Sequence, residues 1–248
     1  MLTDPLFYLV AVPAVMLYGI AKGGFAGPAA VLAVPLMSLV ISPTQAAAIL
    51  LPILVLMDAL VVKTYWGIFD KKTLLLTLPG AMVGIAIGYI SADQFDDGHM
   101  RIMVGLITLL FGLQSLFSVS SGLGREHNTA LGSIMGTIAG FTSFSIHAGG
   151  PPFMMYVMPK RLKPLVFAGT AGFFFAVVNV VKLIPYYSLG QFVADNLLLS
   201  VVLMPLAPIG VKIGHWAVTR TEPEIYYRII SFFLIIVGVR LLWDGLTG

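Results

Sequence analysis

Ser143, Ser145 and His147 stand two residues apart in an otherwise apolar stretch, and Gly149, Gly150, Pro151 and Pro152 follow at once. Two chemistries fit these residues. A serine could act as nucleophile with His147 as its base, since residues two or four apart can be neighbours on one turn. No Gly-x-Ser-x-Gly elbow accompanies them, however. Alternatively, the hydroxyls and the imidazole could hydrogen-bond an anion, and His147 could also take a proton during transport. Gly149 and Gly150 would then let backbone approach the ligand. A helix starting at Pro151 would aim N–H groups and the positive end of its dipole at the same place.

A weaker copy of this break spans residues 19–28, where Lys22 precedes Gly23 and Gly24, and Gly27-Pro28 closes the motif. Lys22 could offer a positive charge to an anion. At membrane depth a charge costs ~2.5–3.5 kcal/mol, so it needs a cavity or a partner. The plainer alternative is that it snorkels along its apolar stem. Asp58 and Asn179 fall mid-span at roughly corresponding places; Asp58 could pair with Lys22 or Lys63, or carry protons. Lys63 and Lys182 lie nearer segment ends and are expected to snorkel, and Thr44 and Gln45 to cap a helix start. His99, His127 and His215 sit in or near loops without ligand spacing, so no metal site is expected. No Gly-x4-Gly-Lys-Ser/Thr is present, and no cofactor is expected.

Composition says what must position these residues. The 248 residues are 58% hydrophobic and 10% charged, with mean hydropathy +0.98. Soluble domains carry about 25% charged residues. The fold class expected is therefore an all-α polytopic membrane protein, a single transmembrane domain over 1–248. The net charge of +3 comes without a basic run or an aromatic-basic face, so it informs topology rather than nucleic-acid binding. Cysteine is absent, which excludes disulfides and thiolate metal sites. The N-terminus lacks a basic n-region, so its first apolar segment is expected to be retained.

Segment lengths suggest a duplication. Residues 5–21 and 29–41 flank the first break and are short; 44–65, 73–92 and 100–120 are long enough to cross. Residues 129–143 and 151–159 flank the second break and are short again; 164–186, 193–216 and 225–246 are long. A full span needs about 20 apolar residues. The same order thus occurs twice, in repeats of roughly 1–122 and 127–248. Residues 79–88 also align without gaps to 205–214, with Pro, Ala, Gly, Ile and Gly recurring.

Basic loops stay cytoplasmic. Lys71-Lys72, Arg125, the cluster Lys160, Arg161 and Lys163, and Arg220 therefore belong inside; Asp93, Asp96 and Asp97 and the loop 187–192 belong outside. Segment 129–159 must then enter and return on one side. The two halves become inverted repeats, each a re-entrant pair of short helices plus three transmembrane helices. The alternative is eight conventional crossings, which would put the 160–163 cluster outside.

The motifs at 19–28 and 143–152, set in this duplicated plan, resemble those of the sulfite exporter TauE/SafE (TSUP) family over nearly the whole chain. The resemblance implies a secondary transporter, not an enzyme. It would export sulfite or a small organosulfur anion such as sulfoacetate across the bacterial cytoplasmic (inner) membrane. Its substrate site would combine Lys22, Gly23, Gly24, Gly27, Pro28, Ser143, Ser145, His147, Gly149, Gly150 and Pro151, with Asp58 and Asn179 as a coupling or ion-pair site. The residues themselves argue only for a small anion. An anion channel or an intramembrane Ser/His hydrolase remains open, as does the oligomeric state, a homodimer included.

Overall fold

The computed structural model describes residues 4–25, 29–117, 128–160, 162–218 and 223–247. Gly27, Pro28, Arg125, Arg161 and Arg220 lie outside the described residues. The described chain is helical, without strands: α1 (Pro5–Ile20), a π-helical turn (Ala21–Phe25), α2 (Ala29–Met37), α3 (Pro43–Thr64), α4 (Lys71–Ser91), α5 (Asp97–Phe117), α6 (Thr129–Ile146), α7 (Gly150–Val157), α8 (Pro164–Ser188), α9 (Ala194–Leu203), α10 (Leu206–Val218) and α11 (Pro223–Thr247).

Helix starts follow local chemistry. Asp4, Ser42, Asp70 and Asn128 each accept a bond from an amide of the first turn, and Pro5 and Pro43 stand just inside their helices. Such side chains satisfy amides that have no partner within the helix. The α3 cap is thus Ser42, bonded to the Gln45 amide, and not Thr44 or Gln45.

Among the described residues, five helical stretches are long and apolar enough to cross a membrane, and six if α9 and α10 form one span. Three expectations are corrected here. The segment 193–216 is not one helix: α9 and α10 meet at 43°, with Pro205 at the bend. The first break does not begin with a turn, because helical backbone continues through Phe25 in the wider π form. The helix before the second break runs on to Ile146, so Ser143 and Ser145 belong to its last turn. Consequently α1 through Gly23 and α6 are longer than the short segments expected, long enough by length and composition to cross. Large apolar side chains such as Leu9, Leu75, Ile90 and Ile184 remain exposed on the helices, as a lipid-facing surface requires.

Lipid tails are as apolar as leucine, so helix association here depends on close contact between small residues. α4 and α6 run parallel, with Gly84 so close to α6 that a Cβ would lie 2.0 Å from the Thr137 carbonyl oxygen. A Cβ on Gly140 would lie 2.1 Å from that of Ala81. α1 and α10 are also parallel, where a Cβ on Gly214 would lie 2.2 Å from the Ile20 carbonyl. α5 and α11 run antiparallel, with Gly105 against Gly238 and Gly98 near Gly245. α3 is the most enclosed of the candidate spans. It lies antiparallel to α8, with Val61 beside Gly172 and Tyr65 beside Gly169. The ends of α1 and α6 converge on this α3–α8 pair.

Candidate functional site

α6 ends in the protein interior, and an unpaired carbonyl there would be costly. Three side chains from other helices satisfy its last turn. Tyr186 donates to the Phe144 carbonyl at 2.6 Å, Tyr18 to the His147 carbonyl at 3.2 Å and Lys182 to the Ser143 carbonyl at 2.8 Å. His147 caps the helix in the left-handed region, at φ 55°, and is the only non-glycine described residue with positive φ. Glycine is the usual residue there because a Cβ strains this conformation. The strain thus falls on His147, while Gly149 has φ −72°.

The hydrogen bonds fix the state of the imidazole. Its Nε2 lies 2.9 Å from the Ala47 carbonyl oxygen, which can only accept, so Nε2 carries the proton. Nδ1 is then a bare lone pair, and Lys182 donates to it at 2.7 Å. Lys182 also reaches Ser143 Oγ at 3.1 Å. Its three contacts match the three protons of an ammonium. The α6 carboxyl end, where the helix dipole favours a cation, faces it. Both ring nitrogens of His147 are therefore engaged with protein and neither is free to donate to an anion. Neither serine hydroxyl is bonded to the His147 ring: Ser143 Oγ meets Lys182, and Ser145 Oγ donates to the Phe141 carbonyl at 3.0 Å. A serine–histidine nucleophile pair is not assembled.

Lys22 sits in the π-helical turn and forms an ion pair with Asp58 Oδ1. Asn179 donates to Asp58 Oδ2 at 2.6 Å. The Lys22 ammonium also stands 5.7 Å from the centre of the Tyr18 ring, within cation–π range. Asp58 thus pairs with Lys22, and Asn179 completes its shell from the facing helix.

A cavity opens between the two breaks. Tyr18, Lys22, Asp58, His147 and Gly150 line it on one side. Phe153, Met154, Ala168, Ala171 and Phe175 form an apolar wall on the other. A second cavity lies at the opposite ends of α3 and α8, lined by Thr44, Ala47, Ser145, Tyr186 and Gln191. The His147 ring stands between the two.

The sequence-selected residues divide accordingly. Lys22, Asp58, His147 and Gly150 meet at the first cavity; Asn179 supports Asp58 from behind. Ser143 is buried under Lys182, and Ser145 faces the second cavity. Gly23 and Gly149 are packing glycines: a Cβ would lie 2.2 Å from the Val211 carbonyl in one case and 2.6 Å from that of Ala139 in the other. Gly150, by contrast, has open space where a Cβ would stand. Gly24 lies in the π-helical turn. Pro151 opens α7 without lining the cavity, and with Pro152 it leaves that helix start two N–H groups poorer.

Lys182 is the residue that sequence reasoning misplaced. It is fully buried, not snorkelling. Its signal is spacing: Asn179, Lys182 and Tyr186 are three and four residues apart, hence on one helical face. All three point into the centre, which makes a polar stripe on an otherwise apolar span.

These features define a polytopic helical membrane protein with charged groups enclosed where its helices break. The chain belongs to the sulfite exporter TauE/SafE family, whose family model matches residues 11–241. It is accordingly a membrane transport protein of the sulfite or small-anion type. Comparisons with curated proteins and with solved structures each gave no match.

Proposed function

We propose that the protein is a secondary carrier that exports a small sulfur oxyanion or organosulfonate across a bacterial cytoplasmic membrane. The anion binds in the first cavity with Lys22 as its cationic partner. One observation carries this reading: a lysine ammonium faces an otherwise largely apolar cavity between the two helix breaks. Lys22, part-buried, is paired with the buried carboxylate of Asp58, and Lys182 is fully buried on α8. An ammonium that lines the cavity attracts an anion, and burial strengthens the attraction relative to water. The apolar wall suits the carbon part of a sulfonate. The Gly150 amide adds a donor from the start of α7. Trans-stimulated uptake (counterflow) of a sulfonate into proteoliposomes tests the reading, since a channel gives no counterflow. Sulfite, thiosulfate, sulfate and carboxylates complete the panel.

Gly150→Ala separates this site from mere packing. The new methyl enters open space, and Gly→Ala at a compatible helical position stabilises by ~0.4–1 kcal/mol. We expect thermal stability to be equal or slightly higher and sulfonate affinity to fall about tenfold, a loss of ~1.4 kcal/mol. Titration of the purified protein checks both. Unchanged affinity would place the anion away from α7.

The inverted repeat is supported by the way the helix pairings exchange. If α1 corresponds to α6, and α4 to the α9–α10 pair, then the parallel contact of α4 with α6 becomes the parallel contact of α10 with α1. The antiparallel pairs α3–α8 and α5–α11 map onto themselves. The directions suit a two-fold axis in the membrane plane, the usual plan for alternating access. Cysteines placed at 72 and 163 should be shielded from an impermeant reagent in intact cells, and those at 96 and 188 labelled. Labelling at 163 would replace the inverted repeat by eight single crossings.

A further inference from the structure

We propose that Asp58 is a proton site, and that the anion and one proton occupy the Lys22–Asp58 pair together. The inference rests on the reading that the anion binds at Lys22. In the structure the pair is closed on itself: Lys22 holds Asp58 Oδ1, Asn179 holds Oδ2, and the pair has no net charge. An anion arriving at Lys22 would face the Asp58 carboxylate across the same ammonium. Two like charges sharing one buried partner repel strongly. Both lysines compensate Asp58, but Lys182 cannot turn towards the newcomer, because its three donors are taken by Ser143 and His147.

Protonation resolves the conflict. Asp58 takes a proton at Oδ1 through the cavity that both residues line. Lys22 keeps all of its protons and redirects its donor from Oδ1 to the anion. Asn179 continues to hold Oδ2. The empty pair is neutral, and the loaded set of ammonium, anion and carboxylic acid is neutral as well. The charged and titratable groups that act on Asp58 are Lys22 from the π-helical turn, Tyr18 from α1 and Lys182 from α8. His147 lies beyond Lys182 and remains neutral while Lys182 occupies its Nδ1. Of these groups only Asp58 is both on the cavity and in competition with the anion.

Two consequences follow by linkage. Proton and anion raise each other's affinity by the same factor. Movement of a monovalent anion with its proton shifts no net charge, so the sum of the anion and proton gradients sets the direction, and membrane voltage does not. A carrier of this kind releases an anion whenever its internal concentration exceeds what the pH difference holds.

The experiment uses wild-type protein in proteoliposomes with a pH-sensitive dye in the lumen and ethanesulfonate, whose charge is constant over the range. The expected result is one proton carried with each anion, read as lumenal acidification during uptake. Affinity should weaken about tenfold per pH unit on the alkaline side. Asp58→Asn keeps the hydrogen-bonding shape but neither competes with the anion nor titrates. Its ethanesulfonate binding should show no pH slope, and its uptake no lumenal acidification. Wild-type uptake without acidification overturns the proposal, whether or not the variant folds. A wild-type pH slope in Asp58→Asn overturns it too, leaving the anion site itself intact. Ethanesulfonate binding of wild-type strength by Lys22→Met/Asp58→Asn would instead remove the anion site, and the proposal with it.

Discussion

Lys22→Met should abolish sulfonate binding and transport, and the reason it does so can be separated from any loss of folding. A hydrogen bond to a charged group contributes ~1.5–3 kcal/mol, which is a factor of about ten to more than a hundred in affinity. The single substitution has a second effect, because it strands the Asp58 carboxylate in the interior with only Asn179 and the more distant Lys182 to compensate it. Removing one partner of a buried pair costs ~3–5 kcal/mol. The double variant Lys22→Met/Asp58→Asn removes both charges, so it should regain most of that stability yet still bind no sulfonate. Lys22→Arg should retain weak binding, because the planar guanidinium is larger than the ammonium it replaces. Titration calorimetry and thermal unfolding in the same detergent check the set. Wild-type affinity in the folded double variant would assign Lys22 a purely structural role.

A large loss of stability is also expected far from any ligand, at Gly84. A Cβ there would stand 2.0 Å from the Thr137 carbonyl oxygen and 2.6 Å from the Phe141 amide nitrogen. Both are backbone atoms of α6, so no side chain can turn aside to make room. Gly84→Val must push α4 and α6 apart and should cost the upper end of the ~1–3 kcal/mol typical of overpacking, or more. Ser143 and His147 ride on the end of α6, so transport should fall with stability. Truncation of Thr137 to alanine should not rescue the variant, since the obstacle is main chain. Rescue by Thr137→Ala, read as recovered melting temperature, would mean that the seam is set by side chains.

Much of this arrangement is legible in residue types. Span-length apolar runs and Gly-Pro interruptions mark the helices and the second break to within a few residues. Lys22, Asp58 and Asn179 stand out because polar groups are expensive at membrane depth. What escapes is partner choice, which depends on tertiary approach. Lys182 is six residues from the end of α8, where snorkelling is the ordinary outcome, and only the approach of the α6 terminus gives it three acceptors. Glycine pairs suggest chain reversal, yet Gly23-Gly24 lies in continuing helix because α10 backbone packs against Gly23. The left-handed residue is His147, not a glycine, because bonds at both of its ring nitrogens hold it there. The helix start at Gly150 is a poorer nest than a Gly-Pro motif promises, for Pro151 and Pro152 bring no amide hydrogens.

The position of the His147 ring has an electrical meaning. The ring borders one cavity, and its Nε2 ends on Ala47, which borders the other. If each cavity is continuous with the solution on its own side, the voltage across the bilayer falls mainly across the matter left between them. An elementary charge crossing 100 mV exchanges ~2.3 kcal/mol. Across such a septum that work would be done over a much shorter path than the ~30 Å of the hydrocarbon layer. An anion carried alone through this septum would feel nearly the whole field in one short step, and a proton travelling with it would cancel that force at the same place.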